Sequence, residues 1–300
     1  MLDLKISVVL YHTEEQEIRN VLRTLNQSAL LKEIYLIDNS STDALRVLQN
    51  VPNVTYIFNN ANLGYGKGHN LAINRIGKKA KYHLVINSDI EFKFWILQEA
   101  FDFMERNRGV GMLSPKILDT DGSVQLFCRK LPDPFDLFAR RFIPGSLKPL
   151  LKRKLDGYVL AERDYSKPMN IPNLPGCFMF IRASLLKEIG GFDERFFLYV
   201  EDVDLTRRLN ELSVTLYYPK IEIVHHLARG SYKFTKLVGY HVRSAISYFN
   251  KWGWFIDRKR SLINKSTGVY FLLPPVKRLQ QPVDLSYELS SFSTEKISSK

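Results

Sequence analysis

Three hundred residues, 45% hydrophobic and 25% charged, with 16 Gly, 13 Pro and two Cys, make a globular composition with apolar material for one large core or two smaller ones. That excludes a disordered tail, a fibre, a disulfide scaffold and a multi-cysteine zinc site. A net charge of +12 attracts polyanions, the candidates being nucleic acid, anionic lipid and phosphorylated small molecules.

Met1 to Tyr11 has no basic stretch followed by an apolar run and a small-residue cleavage site, so no secretory signal is expected. Lys5 to Leu10 (KISVVL) predicts a first strand, and Glu14 to Leu25 a helix with Ile18, Val21, Leu22 and Leu25 on one face. Glu33 to Ile37 is a second strand, ending in the polar run Asp38-Asn39-Ser40-Ser41-Thr42-Asp43. Val54 to Phe58 is a third, followed by a Gly-rich turn and a helix around Asn70 to Ile76. Tyr82 to Ile86 is a fourth strand ending at Asn87-Ser88-Asp89, Phe94 to Arg106 a helix, and Val110 to Leu113 a fifth strand. Strands alternating with helices predict a parallel sheet wrapped by helices, and such sheets bind ligands where the strands end. The loops after Leu10, Ile37, Phe58 and Ile86 are therefore expected to supply the site.

From Asp119 to Pro175 the rhythm fades into a Pro-containing, basic and aromatic stretch, expected to be mobile or to face an acceptor. Cys177 to Ile181 predicts a strand, Ala183 to Ile189 a helix, Gly190-Gly191 a turn, and Val203 to Leu212 a helix. Val214 to Tyr218 and Glu222 to His226 predict two more strands, and an aromatic, basic helical pattern runs from Lys236 to Lys265. The tail after Gln280 is Ser-rich and expected to fray. No stretch approaches the roughly 18 uninterrupted apolar residues of a transmembrane helix. The chain is therefore expected to be soluble or to sit on a membrane surface, with Cys128 and Cys177 as reduced thiols of a cytosolic protein.

The basicity is local. Eight Lys or Arg between Arg129 and Lys154 face only Asp133 and Asp136, and nine between Arg229 and Lys265 face only Asp257. The rest of the chain is close to neutral. The strong polar signals lie around carboxylates at strand ends, which repel phosphate unless a cation intervenes, and this argues against a nucleic-acid partner.

Asp89, just past an apolar strand, is placed either to hold a hard divalent cation or to cap the next helix. Glu201, Asp202 and Asp204 put three carboxylates within four positions; mutual repulsion suits one of them to general-base work, while a helix start stabilises them equally well. His225-His226 ends a strand, so the two rings point to opposite faces and at most one reaches a metal. The run Gly64-Tyr65-Gly66-Lys67-Gly68-His69-Asn70 lets backbone approach a phosphate or sugar, yet it matches neither the dinucleotide fingerprint nor the P-loop.

Together these pieces resemble the family 2 glycosyltransferases, within them the bacterial rhamnosyltransferase-like branch. The matching features run in family order over roughly residues 5 to 231. They are Val8-Val9-Leu10-Tyr11; Ile37-Asp38-Asn39-Ser40-Ser41-Thr42-Asp43; Asn59 through Asn70; Asn87-Ser88-Asp89; Gly190 through Phe197; Glu201-Asp202-Val203-Asp204-Leu205 with Arg208; and His225-His226 before Gly230-Ser231. Ser88 departs from the Pro or Asp common there, leaving Asp89 as the charged member.

The resemblance implies a GT-A fold, α/β with a Rossmann-like, mostly parallel central sheet flanked by helices, over residues 1–231, with 119–175 as an irregular acceptor-side segment. A helical extension at 232–280, basic and aromatic, would follow, then a tail at 281–300. It implies inverting transfer from a nucleoside-diphosphate sugar, dTDP-rhamnose first and UDP-hexoses as the alternative, to a glycan or lipid-linked acceptor at the cytoplasmic face of the membrane. By the same analogy Asp38 hydrogen-bonds the base with Tyr11 nearby. Asn39, Gly64, Lys67, Gly68, Asn70 and Asn87 line the donor pocket, and Asp89 holds Mg²⁺ or Mn²⁺ with His225 or His226. Asp202 is the base, with Glu201 and Asp204 shaping its surroundings. The rivals of another class are a basic nucleic-acid-binding protein and a sugar-binding protein without activity. The aromatic and basic stretch Tyr232 to Lys265 is expected either to contact an anionic membrane or to form a groove for a phosphorylated acceptor.

Overall fold

The computed structural model describes residues 2–75, 80–139, 148–226 and 235–271. Strand β1 (Leu2–Leu10) alternates by the two-residue period of a pleated chain, with Leu4, Ile6, Val8 and Leu10 entering one core cluster. Helix α1 (Glu15–Gln27) adds Ile18, Val21, Leu22 and Leu25 to that cluster. Burying each of these side chains contributes roughly 1.5–3 kcal/mol.

Strands β2 (Lys32–Asp38), β3 (Val54–Phe58) and β4 (Ala80–Ile86) join β1 in parallel register, in the order β3-β2-β1-β4. Beyond β4 the sheet is mixed, taking in antiparallel strands beside the parallel ones. The outer elements are β5 (Ile90–Phe92), β6 (Val110–Leu118), the short β7 (Met169–Asn170), β8 (Phe178–Arg182) and β9 (Val214–His225). Strand β8 lies between β4 and β6 and runs antiparallel to both, while β6 and β9 are parallel. An apolar run such as Phe178–Ile181 reads the same in either direction, so its sequence carries no sign of orientation. The two strands expected over 214–226 are one strand, irregular where Pro115 pairs with Tyr218 and Lys116 with Glu222.

Helix α2 (Tyr65–Ile73) starts five residues before the expected helix and absorbs most of the Gly-rich run. Gly66 and Gly68 are there for close packing: a Cβ would come within 2.9 Å of Phe192 Cβ at the first and 2.8 Å of Val9 Cγ2 at the second. Gly64 caps this helix at φ +86°, and a side chain there would collide with the carbonyl oxygen of Phe197. Gly64→Ala is therefore expected to lower stability by about 1–3 kcal/mol. A thermal melt superimposable on the parent's would contradict this.

Helix α3 (Trp95–Arg106) matches its expected span. The stretch expected to be irregular holds a π-helical turn (Phe135–Ala139) and helix α4 (Lys148–Tyr158). Helices α5 (Ala183–Glu188) and α6 (Glu201–Asn210) follow, then α7 (Thr235–Trp252) and α8 (Arg258–Ser266). Ala245, Tyr248 and Phe249 of α7 share a core cluster with Val203 of α6 and with Phe196 and Val200, so the aromatic extension packs against the acidic helix. Arg207 of α6 is fully buried, gripped by both oxygens of Asp257 at 2.7 and 3.0 Å and lying over the Trp252 ring. No helix among the described residues is long and apolar enough to cross a membrane. The tail at 281–300 and Gly230-Ser231 lie outside the described residues.

Candidate active site

Where β1 and β4 end, a cavity of about 620 Å³ opens, lined among others by Tyr11, Tyr65, Asn87, Asp89, Glu91 and His226. That is the size and place of a small-ligand site in an open α/β sheet. The loop after β1 is held by a relay: Asp38 Oδ1 accepts the Ser40 N–H at 2.9 Å, and Ser40 Oγ accepts the His12 N–H at 2.9 Å. Asp38 Oδ2 accepts from the Tyr56 hydroxyl at 2.6 Å. Asp38 is thus fully buried and braces the loop that displays the exposed Tyr11.

Other candidates are likewise used by the protein itself. Asn39 donates to the Gly64 carbonyl at 3.1 Å and accepts from Asn59 at 2.8 Å. Asn70 brackets Phe192, donating to its carbonyl and accepting its N–H, both at 2.9 Å, and reaches Glu194 at 3.1 Å. Lys67 is exposed, 3.5 Å from Glu194. Of the run from Gly64 to Asn70 only Tyr65 lines this cavity; Gly64, Gly68 and Asn70 build and seat α2, because a helix without side-chain bulk lies closer to β1.

His225, which does not itself line the cavity, holds Nε2 3.3 Å from Asp89 Oδ1, and that oxygen is buried and has no hydrogen-bond partner. Burial opposes charge on His225, yet Asp89 and Cys177 outweigh it and raise its pKa to about 10. An orphaned carboxylate oxygen beside an imidazole is a donor set that a divalent cation fits, with the ring giving up its proton on binding. His226 does line the cavity, with Nε2 3.1 Å from Glu91. Among the described residues no three His, Cys, Asp or Glu side chains are arranged to hold a metal ion by themselves, so phosphate and water would complete the coordination.

Tyr65 joins this side to the acidic helix. Its hydroxyl is 2.9 Å from both Asn87 Oδ1 and the Gly176 carbonyl. The N–H of Gly176 in turn donates to Asp202 Oδ2 at 3.2 Å, and the Val203 N–H to Asp202 Oδ1 at 2.8 Å. Burial, followed by the negative potential of Cys177, Glu201, Asp202 and Asp89, pushes the Tyr65 phenol well up, so it remains a proton donor. Asp202 does not line the cavity itself; it stands behind Gly176, one hydrogen-bonded step away.

Burial also raises Asp202 above the usual carboxylate range, against the two backbone N–H groups and the charge of Arg129. Glu201 is raised well above its own, by burial and then by Asp202. The helix that carries them is entered through Tyr199 and Val200, both at φ +69°. Left-handed backbone is costly for a β-branched residue and gathers at functional sites. Asp204 points away from this group. It is fully buried and bonded to Lys251 at 2.7 Å, Trp252 at 2.8 Å and Arg208 at 2.7 Å, so it anchors α6 to α7 and does not shape the surroundings of Asp202.

Three residues here went unread in the sequence. Tyr65 was visible only as the aromatic member of a Gly-rich run, and Cys177 only as a reduced thiol. Arg129 counted merely as one charge of a basic segment. Its guanidinium lies 5.2 Å over the Phe127 ring, which is 6.4 Å from the His225 ring, and its buried Nε has no hydrogen-bond partner.

A family model described as glycosyl transferase family 2 matches residues 7–190. The N-acetylglucosaminyl-diphospho-decaprenol L-rhamnosyltransferase of Mycobacterium tuberculosis is 32% identical over 213 residues, covering 66% of this chain and 67% of that protein. Rhamnosyltransferase WbbL of Escherichia coli is 26% identical over 268 residues, covering 86% and 95%. Among solved structures, residues 1–349 of S. aureus TarS align with a TM-score of 0.53 at 15% identity over 87% of this chain and 77% of that one. The mannosyltransferase PcManGT from Pyrobaculum calidifontis, in complex with GDP-Man and Mn²⁺, aligns at 0.53 with 16% identity over 82% and 64%. At such identities the likeness establishes the architecture, the α/β GT-A fold.

Proposed function

Because the chain belongs to glycosyl transferase family 2 and is a glycosyltransferase, we propose that it moves rhamnose, with inversion, from a nucleoside diphosphate to a hydroxyl of a lipid-linked glycan. dTDP-rhamnose is the first-choice donor. The mycobacterial relative is named for an N-acetylglucosaminyl-diphospho-decaprenol acceptor, and an acceptor of that class suits the basic segments of this chain. The observation that carries the reading is Tyr65, whose hydroxyl ties the Asp89 side of the cavity to the Gly176–Asp202 contact.

In this reading Asp89, with His225, would hold Mg²⁺ or Mn²⁺, which when bound offsets the charge that grows on the leaving diphosphate. Tyr11 lies at the open face of the cavity and covers the donor, while Asn87 and Tyr65 fix its inner end. Asp202 takes the proton of the attacking hydroxyl. Its two backbone N–H partners favour the ionised form that a base needs, and burial keeps that form reactive. Sugar transfer passes through an oxocarbenium-like state, so a base on the side opposite the leaving group gives inversion.

Thermal shift against a panel of nucleotide sugars tests the donor, since a ligand bound only by the native state raises the melting temperature by mass action. dTDP-rhamnose is expected to give the largest shift; a larger one with a UDP-hexose would replace rhamnose in this reading. Asp89→Ala is expected to weaken donor affinity in the presence of Mn²⁺ by at least about tenfold. It should leave the weak metal-free affinity unchanged. Calorimetry with and without Mn²⁺ measures both, and equal metal dependence in parent and variant removes Asp89 from the site.

A further inference from the structure

Phe255 and Ile256 are 84% and 85% exposed, the two most exposed large apolar side chains among the described residues. Single exposed apolar residues are ordinary, but an adjacent pair held rigidly outward is not. The turn that carries them is clamped on both sides. Before it, Trp254 stacks on Phe138 with the rings 2° from parallel and donates to Asn250 at 2.9 Å, while the Gly253 N–H closes onto the Phe249 carbonyl at 2.8 Å. After it, Asp257 grips the buried Arg207 with both oxygens and caps α8 through the Arg260 N–H at 2.9 Å. The tip therefore cannot fold its apolar pair back into the protein without breaking a buried ion pair.

The surroundings of the tip are basic. Helix α8 contains no acidic residue and exposes Arg258, Lys259 and Lys265 together with Leu262, which is 65% exposed. Lys259 is shared with Glu211 at 2.8 Å, so Arg258 and Lys265 are the freer cations. Other aromatics of the 232–265 stretch are engaged within the protein: Phe249 is fully buried, and Trp252 donates to Asp204. An apolar wedge ringed by cations matches an anionic bilayer, where the apolar pair enters the headgroup boundary and the cations meet lipid phosphate.

We propose that the 253–257 turn and the exposed face of α8 form a docking tip for an anionic lipid bilayer. Two buried linkages, Arg207 with Asp257 and Asp204 with Lys251 and Trp252, join this tip to the helix that bears Asp202. Docking then fixes the base relative to the lipid surface, a consequence that rests on the lipid-linked acceptor proposed above. The docking itself does not.

The test is co-sedimentation of the full chain with vesicles of phosphatidylcholine alone or with phosphatidylglycerol added, without nucleotide sugar or acceptor, so its outcome is independent of the enzymatic reading. The parent is expected to pellet with anionic vesicles at low salt, less with neutral ones, and less again when salt screens the cations. Phe255→Ser with Ile256→Ser should raise the lipid concentration for half-binding at least about tenfold. Arg258→Gln with Lys265→Gln should abolish the preference for anionic vesicles. Leu31→Ser, an exposed apolar site just before β2, which lies five strands from β9 in the sheet order, should bind as the parent does. Both tip residues are solvent-exposed, so the double variant is expected to melt with the parent; should it not, the charge variant carries the test alone. Three results overturn the proposal: no pelleting of the parent, equal pelleting of the tip and parent proteins, or a parent dimer in light scattering that the tip variant dissolves without any vesicle binding.

Discussion

Asp202→Asn is expected to lower kcat by about 10³-fold while donor affinity by calorimetry stays within about twofold, because an amide keeps the shape of the group but cannot take up a proton. The fold should tolerate it. The variant loses one backbone hydrogen bond, from Gly176 or Val203, at a cost of about 1 kcal/mol, and it also removes a buried charge. The pH dependence carries a definite sign. Burial raises the Asp202 carboxyl in the folded protein above its ordinary value, so the native state holds its proton to higher pH than the unfolded chain does. Parent stability therefore declines as pH rises through the window from the ordinary carboxylate range up to the raised value, and the variant lacks that decline. Activity moves the opposite way: the parent's kcat falls as pH drops through the same raised value, since the base must be ionised. Turnover at the parent rate would remove Asp202 from the mechanism, and melting temperatures that run parallel in pH would remove the buried charge from the account.

Asp204→Ala, two positions along the same helix, is expected to behave in the reverse manner. It should cost about 3–5 kcal/mol, because Lys251, Trp252 and Arg208 lose a fully buried partner at once. Lys251 keeps Asp193 at 2.8 Å, and Arg208 keeps the carbonyls of Ile189 and Gly191, which holds the loss within that range. A fall in melting temperature of roughly 5–8 °C follows for a chain of this size. At a temperature where the variant remains folded, its KM for donor should match the parent's. A melt within about 2 °C of the parent would mean that α7 is not anchored through this carboxylate.

The contrast between these two residues marks the limit of what the chain's order of residues discloses. Positions 202 and 204 lie about 200° apart around a helix, so they face opposite ways. Spacing therefore says that at most one of them belongs to the site, but not which. The choice is made by Gly176 on one side and by Lys251 and Trp252 on the other, residues 26, 47 and 48 positions away. The same holds for Asp38 and Asn70, whose polar atoms are engaged by Tyr56, Ser40 and Phe192. Tyr65 escaped notice because nothing adjacent to it indicates that Asn87 and Gly176 will meet at its hydroxyl. Helix α4 escaped because Pro149 and a run of cations hide its apolar face.

Local periodicity did determine the parallel strands β1 to β4, the helices α1 and α3, and the polar strand ends that became the cavity. Strands buried on both faces must be apolar runs, and the polar residues that follow them must lie where the strands stop. Tertiary structure alone decided the reversed direction of β8, the docking of α7 and α8 onto the acidic helix, and which carboxylates keep a free oxygen. Those outcomes depend on contacts between residues far apart in the chain, and a carboxylate's chemistry is set by the partners and solvent it finally meets.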